Sequence, residues 1–192
     1  MKPLGHFVAW LVGLAEPETQ TTAAERDCLA RHAQGRRSLV EIGVWHGVTT
    51  KRLLSQMARD GCLTAVDPFP RGRLGFSIAK RIAHREVSSV KRGTVRWRRL
   101  TGDAAARAHE PVDFIFIDGD HSEAGLLGDW NAWKNLVLPN GIVALHDSRS
   151  TPQRPIDDAG SVRVTAQVIT KDAAFEVIDV VDSLTVLRRL PR

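Results

Sequence analysis

Cysteine is scarce in this 192-residue chain: Cys28 and Cys62 are the only two. Two are too few for a disulfide framework or a four-cysteine zinc site, and they fit a reducing, cytoplasmic compartment. No apolar run approaches the roughly 20 residues that a membrane helix needs. The start, Met1-Lys2 and then an apolar stretch over 7–15, has the order of a secretory signal. Glu16-Pro17 follows where a small-x-small cleavage site belongs, so the stretch is read as structure. Internal repeats and low-complexity segments are absent. Two phosphate-binding signatures are also missing. The turn Gly43-Val-Trp-His-Gly47 has Trp45 where a dinucleotide fingerprint needs glycine, and Gly47-Val-Thr lacks the lysine of a P-loop.

What is present is an ordinary globular composition, 43% hydrophobic and 26% charged, which argues against a disordered or fibrous chain. The length suits one domain with a core that needs no staples. The net charge of +5 is concentrated in one region. Residues 71–99 hold ten basic residues against one acid, Glu86, so this stretch carries +9 and the remainder −4. Such a patch attracts nucleic acid or acidic substrates. The plainer reading, a solvated helix face beside an exposed strand edge, is preferred. Only Phe76 and Trp97 interleave the charges, too few for a base-stacking platform.

Phe7, Trp10, Leu11 and Leu14 share one helix face and predict an amphipathic first helix docked on the domain or on a partner subunit, which leaves a homodimer open. A second helix is expected over 21–33, capped by Thr21 or Thr22, with Glu25 able to close a capping box. These helices make up an N-terminal portion, 1–36, ahead of the main body, 37–192. Strands at 38–42, 62–66, 94–99, 112–117 and 142–145 then alternate with helices at 48–58, 75–90, from 102, and 122–138. Pro139-Asn-Gly141 reads as a turn, 148–160 as a loop that contacts the substrate, and 161–170 as a helix. Residues 175–181 and 184–187, joined by Asp182-Ser183, read as an antiparallel hairpin.

Strands alternating with helices give a parallel sheet covered on both faces, and ligands of such sheets bind beyond the carboxyl ends of the strands. Acids stand there after every strand: Glu41-Ile-Gly43 to Gly47, Asp67-Pro68, Gly102-Asp103, Asp118-Gly-Asp-His121 and His146-Asp147. A crowd of carboxylates suits a cation, hydroxyls or amines rather than phosphates. Gly43 and Gly47 allow close backbone approach, and Asp67 can accept two hydrogen bonds from a ribose diol. Together they read as a nucleoside-binding crevice without a pyrophosphate cradle.

This ordered set resembles the class I S-adenosylmethionine-dependent methyltransferases, over about residues 38–188. The resemblance implies a doubly wound, mostly parallel seven-stranded Rossmann-like sheet with a C-terminal antiparallel hairpin. It implies a cofactor site at Glu41, Gly43, Trp45, Gly47, Asp67, Pro68, Gly102, Asp103 and Asp118, with Trp45 and Phe69 bordering the crevice. Phe116-Ile-Asp118-Gly-Asp-His121 and Gly141-Ile-Val-Ala-Leu-His-Asp147 further resemble the small metal-dependent O-methyltransferases and the cephalosporin-hydroxylase-like subgroup. That likeness implies Mg²⁺ on Asp118 and Asp147, with His146 where metal-binding relatives often carry an acid. A histidine there biases the site towards Mn²⁺ or another imidazole-tolerant ion. It also implies His121 as the general base, with Asp118 beside it in catalysis.

The function expected is methyl transfer to a hydroxyl of a small molecule, a sugar or glycosylated metabolite. Acidic acceptors would be held by Arg71 or Arg73. The alternatives are a nucleic-acid methyltransferase using residues 71–99 and a non-catalytic cofactor-binding protein. Against the first, no Asn/Asp-Pro-Pro-aromatic motif and no Pro-Cys follow the fourth strand.

Overall fold

A computed structural model describes residues 3–72 and 75–191. Seven strands form one sheet: β1 (Ser38–Ile42), β2 (Cys62–Val66), β3 (Thr94–Arg98), β4 (Val112–Ile117), β5 (Val137–Leu145), β6 (Phe175–Val181) and β7 (Leu184–Arg189). The order is β3-β2-β1-β4-β5-β7-β6. The first five are parallel, and β7 inserts antiparallel between β5 and β6. Strand order therefore reverses between β1 and β4, where a crevice must open at the carboxyl edge. No described helix is long and apolar enough to cross a membrane.

Successive side chains on the central strands point to opposite faces, and each face carries its own core. Leu39, Phe114 and Phe116 pack with Leu29 of α2 (Ala23–Ala33), Leu53 of α3 (Val48–Gln56) and Ala83 of α4 (Ile78–Ser88). Val40, Ile115 and Ile117 pack with Ala105 of α5 (Gly102–Ala106), Trp130 and Trp133 of α6 (Glu123–Trp133) and Val164 of α7 (Gly160–Gln167). Thr22 is the cap of α2 and closes the expected box with Glu25. The basic stretch divides as expected into the face of α4 and the edge strand β3, whose residues are exposed or half-buried.

Several local expectations are corrected. Helix α1 (Pro3–Leu11) buries Phe7 and Trp10 against Ile82, but Leu11 and Leu14 remain exposed, 45% and 82%. The helix ends at Leu11, so Leu14 no longer shares its face. Helix α6 stops at Trp133, and Val137 already pairs with Val112 in β5. The predicted turn at Pro139-Asn-Gly141 becomes an irregularity inside that strand, with Asn140 at φ +61°. The helix expected over 161–170 breaks after Gln167 into a 3₁₀ turn, Ile169–Lys171. Of the two cysteines, Cys28 is buried and Cys62 half-buried.

Candidate active site

The sheet's ladder continues one residue past each strand, and this lines up the acidic positions. Gly43 N–H donates to the Val66 carbonyl, Asp67 to Arg98, Asp118 to Ile42 and His146 to Ile117. Gly43 makes the crossing of the β1 turn past β4 feasible. Its φ is +86°, and a Cβ there would lie 1.9 Å from the Asp118 carbonyl oxygen. Only glycine fits such an approach. Gly47 is different: a Cβ there would meet Ala83 of α4 at 2.9 Å. It packs against that helix, and it is not on the wall of the cavity that Gly43, Val44 and Trp45 line.

That cavity, about 760 Å³, runs along the carboxyl edge of the sheet. One end is walled by Glu41, Gly43, Trp45, Asp67, Pro68 and the 101–103 loop; the other by Asp118, Asp120 and His121. Residues 18–20, ahead of α2, close a third side. Glu41 is fully buried, and neither carboxylate oxygen has a hydrogen-bond partner. Burial pushes its carboxyl well above the usual range, with the Thr50 hydroxyl opposing and the charges of Asp118 and Asp67 adding. Asp67 is tied into the fold: Oδ2 accepts the Val44 and Trp45 N–H groups at 3.0 Å each, and Oδ1 accepts Phe69 N–H at 2.7 Å. Three of its about four acceptor positions are thereby used, leaving room for one ligand hydroxyl rather than two. Trp45 is partly exposed on the wall, at φ +48°, but Phe69 belongs to the buried core.

The 101–103 loop is held from beneath by α6, where Asp129 and Trp133 are spaced i, i+4 on one face. The Trp133 indole donates to the Gly102 carbonyl at 2.9 Å, and a Cβ on Gly102 would strike the Asp129 carboxylate at 2.3 Å. Asp103 is exposed at the cavity rim and accepts the Thr101 hydroxyl at 2.6 Å. Asp129 is buried on the cavity wall and had no sequence signal beyond its helical spacing.

Beyond β4 and β5 the geometry departs from the expected ligand pair. Asp118 Oδ1 lies 3.2 Å from His121 Nε2 and 2.8 Å from His146 Nδ1. Asp147, at φ +48° and nearly inaccessible, pairs with Arg154 through both oxygens and accepts the Ser183 hydroxyl at 3.2 Å. His146 and Asp147 lie behind the cavity wall rather than on it. The other nitrogen of His146 faces Glu25 Oε2 at 3.4 Å, a charge contact without hydrogen-bond alignment. Glu25 in turn accepts from Thr22 N–H at 2.8 Å and from the Ser183 N–H and hydroxyl at 2.9 and 2.7 Å. Burial disfavours a charged His146 ring, but Asp118 and Glu25 outweigh it and hold its pKa up at about 10. Burial likewise opposes charge on Glu25 and Asp118, and their partners override it, taking Glu25 down to about 2 and Asp118 below its ordinary value. These shifts describe the same ion pairs from both sides and count once.

Mg²⁺ does not fit these residues. It needs close to six oxygen ligands. Asp147 is already satisfied by Arg154 and Ser183, and both neighbours of Asp118 Oδ1 are imidazoles. Of the carboxylate oxygens of Asp118 and Asp147, only Asp118 Oδ2 makes no hydrogen bond among the described residues. Glu25 and Arg154 are the residues that sequence reasoning did not place here. Glu25 was visible only as a helix cap, and Arg154 sits in the 148–160 segment, which carries no periodicity.

Other residues near these turns have simpler surroundings. Asp120 accepts the Ser122 N–H, and Ser122 itself caps α6. His46 lies in the β1 turn and accepts the Glu18 N–H on Nδ1. Arg71 lines a separate basic cavity with Lys80, Arg81, Arg85 and Arg99, away from His121, and Arg73 lies outside the described residues.

With this geometry in place, relatives decide the family. A sequence profile described as a methyltransferase domain matches residues 40–148. The chain belongs to the methyltransferase domain family. Its fold is that of the class I S-adenosylmethionine methyltransferases. A relative from Mycolicibacterium vanbaalenii, whose name gives O-methyl transfer as a provisional activity, is 29% identical over 154 residues, 76% of this chain. This methyltransferase domain spans only 64% of that protein's length. A second relative, from Mycolicibacterium smegmatis, is 36% identical over 106 residues, covering 53% of this chain and 47% of its own. Among solved structures, the O-methyltransferase TomG of Streptomyces achromogenes, in complex with S-adenosylmethionine, superposes with a TM-score of 0.65. Its identity is 16%, over 100% of this chain and 91% of that one.

Proposed function

We propose that this chain transfers the methyl group of S-adenosylmethionine to a hydroxyl of a small molecule, a sugar or glycosylated metabolite. The observation that carries the reading is that one cavity joins a nucleoside-type end, Gly43, Asp67 and the 101–103 loop, to a proton-accepting end, Asp118 and His121. The names of the relatives and the cofactor bound in TomG support it.

In this reading the backbone at Gly43 lies against the methionine part of the cofactor, and Asp67 takes one ribose hydroxyl. Asp103 at the rim reaches the adenine amine. Glu41 waits in the wall with no partner; a cofactor ammonium beside it replaces its proton and settles the buried charge. Pro68 and Trp45 supply apolar wall. The acceptor oxygen attacks the methyl carbon, the carbon–sulfur bond breaks, and its electron pair stays on sulfur to leave the neutral thioether. The hydroxyl proton passes to the His121 imidazole. Asp118 and Asp147, 3.2 and 3.3 Å from the two ring nitrogens, stabilise the imidazolium that forms. In-line placement of oxygen, methyl and sulfur supplies much of the rate.

Calorimetric titration of S-adenosylhomocysteine, followed by methyl-transfer assays on hydroxylated acceptors, tests the reading. His121→Ala is expected to lower kcat by about 10²–10⁴-fold with cofactor affinity kept. Full activity in that variant removes His121 as the base. Absence of cofactor binding in the parent protein overturns the reading altogether.

A further inference from the structure

A second cavity, about 800 Å³, lies between α4, the loop that leads into it and the end of β3. Its volume falls within the range of about 300–1,000 Å³ usual for small-molecule sites. Five positive charges stand on its wall, Arg71, Lys80, Arg81, Arg85 and Arg99, with no acid among the described residues there. On an ordinary surface such charges pair with neighbouring acids or ride on freely moving side chains. Neither holds here. Glu86, the one acid within residues 71–99, is engaged elsewhere: Oε2 pairs with Lys51 at 3.0 Å, and Oε1 accepts the Trp10 indole N–H at 3.1 Å. None of the five cations forms an ion pair with a described residue.

Three of the guanidinium groups are nevertheless held in place. Arg81 lies over the Phe76 ring, 4.1 Å from its centroid, and Arg85 over the Trp10 ring at 5.4 Å. Arg99 donates to the Phe69 carbonyl at 2.9 Å and to the Pro68 carbonyl at 3.4 Å. Aromatic faces and carbonyls position an arginine without cancelling its charge, and side chains ordered in advance lose less entropy when a ligand binds. Helix α4 begins on the same wall, at its cap Ser77, so the helix dipole adds to the positive field. His84 also faces the cavity, and its buried Nε2 has no hydrogen-bond partner among the described residues. The aromatic rings here are already occupied. Phe76 is covered by Arg81 and flanked by Phe7, and Trp97 is covered by His84 at 4.0 Å and packs on the core. No free ring is left as a platform for a nucleobase.

We propose that this cavity is a second ligand site, which takes a small molecule carrying two or more phosphate groups. Four of its five cations are arginines, whose planar fork matches phosphate oxygens two at a time. One phosphate monoester brings about −1.5 to −2 at neutral pH and leaves about three cations uncompensated, whereas two or more phosphates come close to balancing five. The site is distinct from that of methyl transfer, since no described residue lies on both walls. The two cavities adjoin where Pro68 and Leu100 line the first and Arg99, bonded to the Pro68 carbonyl, lines the second. The inference stands without the methyl-transfer reading.

Calorimetric titration of the full chain with inorganic pyrophosphate, inorganic phosphate and a single-stranded oligoribonucleotide, all at about 0.15 M ionic strength, tests the site. Pyrophosphate is expected to bind one to one and at least about 10-fold more tightly than phosphate. Lys80→Gln and Arg85→Gln should each weaken it by about 10–100-fold. Lys80→Gln is the milder change, because only the backbone N–H of Lys80 is engaged, by Ser77; an unchanged Tm verifies that the variant folds. Arg188→Gln removes the same charge from β7, beyond β5 in the sheet, where Arg188 pairs with Glu176. It should leave pyrophosphate affinity within about 2-fold. Absence of saturable pyrophosphate binding overturns the proposal, as does unchanged affinity in both cavity variants or an equal loss in Arg188→Gln. An oligonucleotide that binds more tightly than pyrophosphate, and weakens in Lys80→Gln, makes the surface a nucleic-acid interface and also overturns it. Titration of S-adenosylhomocysteine in the same samples judges the methyl-transfer reading separately: pyrophosphate binding without cofactor binding refutes only the methyl transfer, and cofactor binding without pyrophosphate binding refutes only the second site.

Discussion

Asp129→Asn is expected to stabilise this protein at neutral pH and to do nothing at low pH. Asp129 is buried on α6, and its carboxyl pKa rises from 3.8 to about 6, chiefly through burial, with the charges of Asp103 and Asp120 adding and the Asp103 N–H opposing. The folded state therefore holds its proton between about pH 4 and 6, where the unfolded chain has released it. Stability falls as pH rises through that window. At 1.36 kcal/mol per pKa unit the penalty at pH 8 is about 3 kcal/mol. An asparagine keeps the shape and an acceptor oxygen for the Asp103 N–H, but has no charge to bury. Urea denaturation of both proteins between pH 4 and 8 measures the difference. The expectation is near equality at pH 4 and an advantage of about 2–3 kcal/mol for the variant at pH 8. A constant difference across that range, or a variant less stable at pH 8, refutes the account of Asp129 as an uncompensated buried charge.

Gly43→Ala should lose cofactor affinity at least about 10-fold and cost more than about 2 kcal/mol, because a positive-φ penalty of about 1 kcal/mol is joined by collision with the Asp118 carbonyl. Gly35→Ala is the control: its φ is +72° with nothing within 4 Å, so only the penalty of about 1 kcal/mol should appear in the same denaturation experiment. Arg154→Ala strands Asp147, which is 4% exposed; because the Arg154 side chain is itself 35% exposed, the loss should be about 1–3 kcal/mol, seen as a lower Tm. An unchanged Tm shows that Asp147 finds its compensation elsewhere.

The parallel strands, the hairpin and the helices between them were readable because their signals are local. β1, β2 and β4 have the very bounds expected, since apolar runs end where Gly43, Asp67 and Asp118 interrupt them. The Thr22–Glu25 capping box is likewise a matter of four adjacent residues. Misreadings occurred where a distant partner overrode local preference. Pro139-Asn-Gly141 carries turn chemistry, yet pairing on either side with β4 draws it into β5. Leu11 and Leu14 follow helical spacing, yet α4 offers Ile82 only to Phe7 and Trp10. Gly47 and Phe69 looked like crevice residues by proximity to Gly43 and Asp67, but one packs against Ala83 and the other fills the core.

The sequence by itself determined that acids follow the parallel strands, because strand ends and glycine turns are written in neighbouring residues. It thereby determined that they would crowd one edge of the sheet. Only the tertiary structure decided which of those acids are free. Glu25 and Ser183 stand 158 residues apart and meet beneath His146; Arg154 folds back onto Asp147; Asp67 spends its lone pairs on the turn it adjoins. A charge acquires its chemistry from the partners within a few ångströms of it, and no spacing along the chain states which partners those will be.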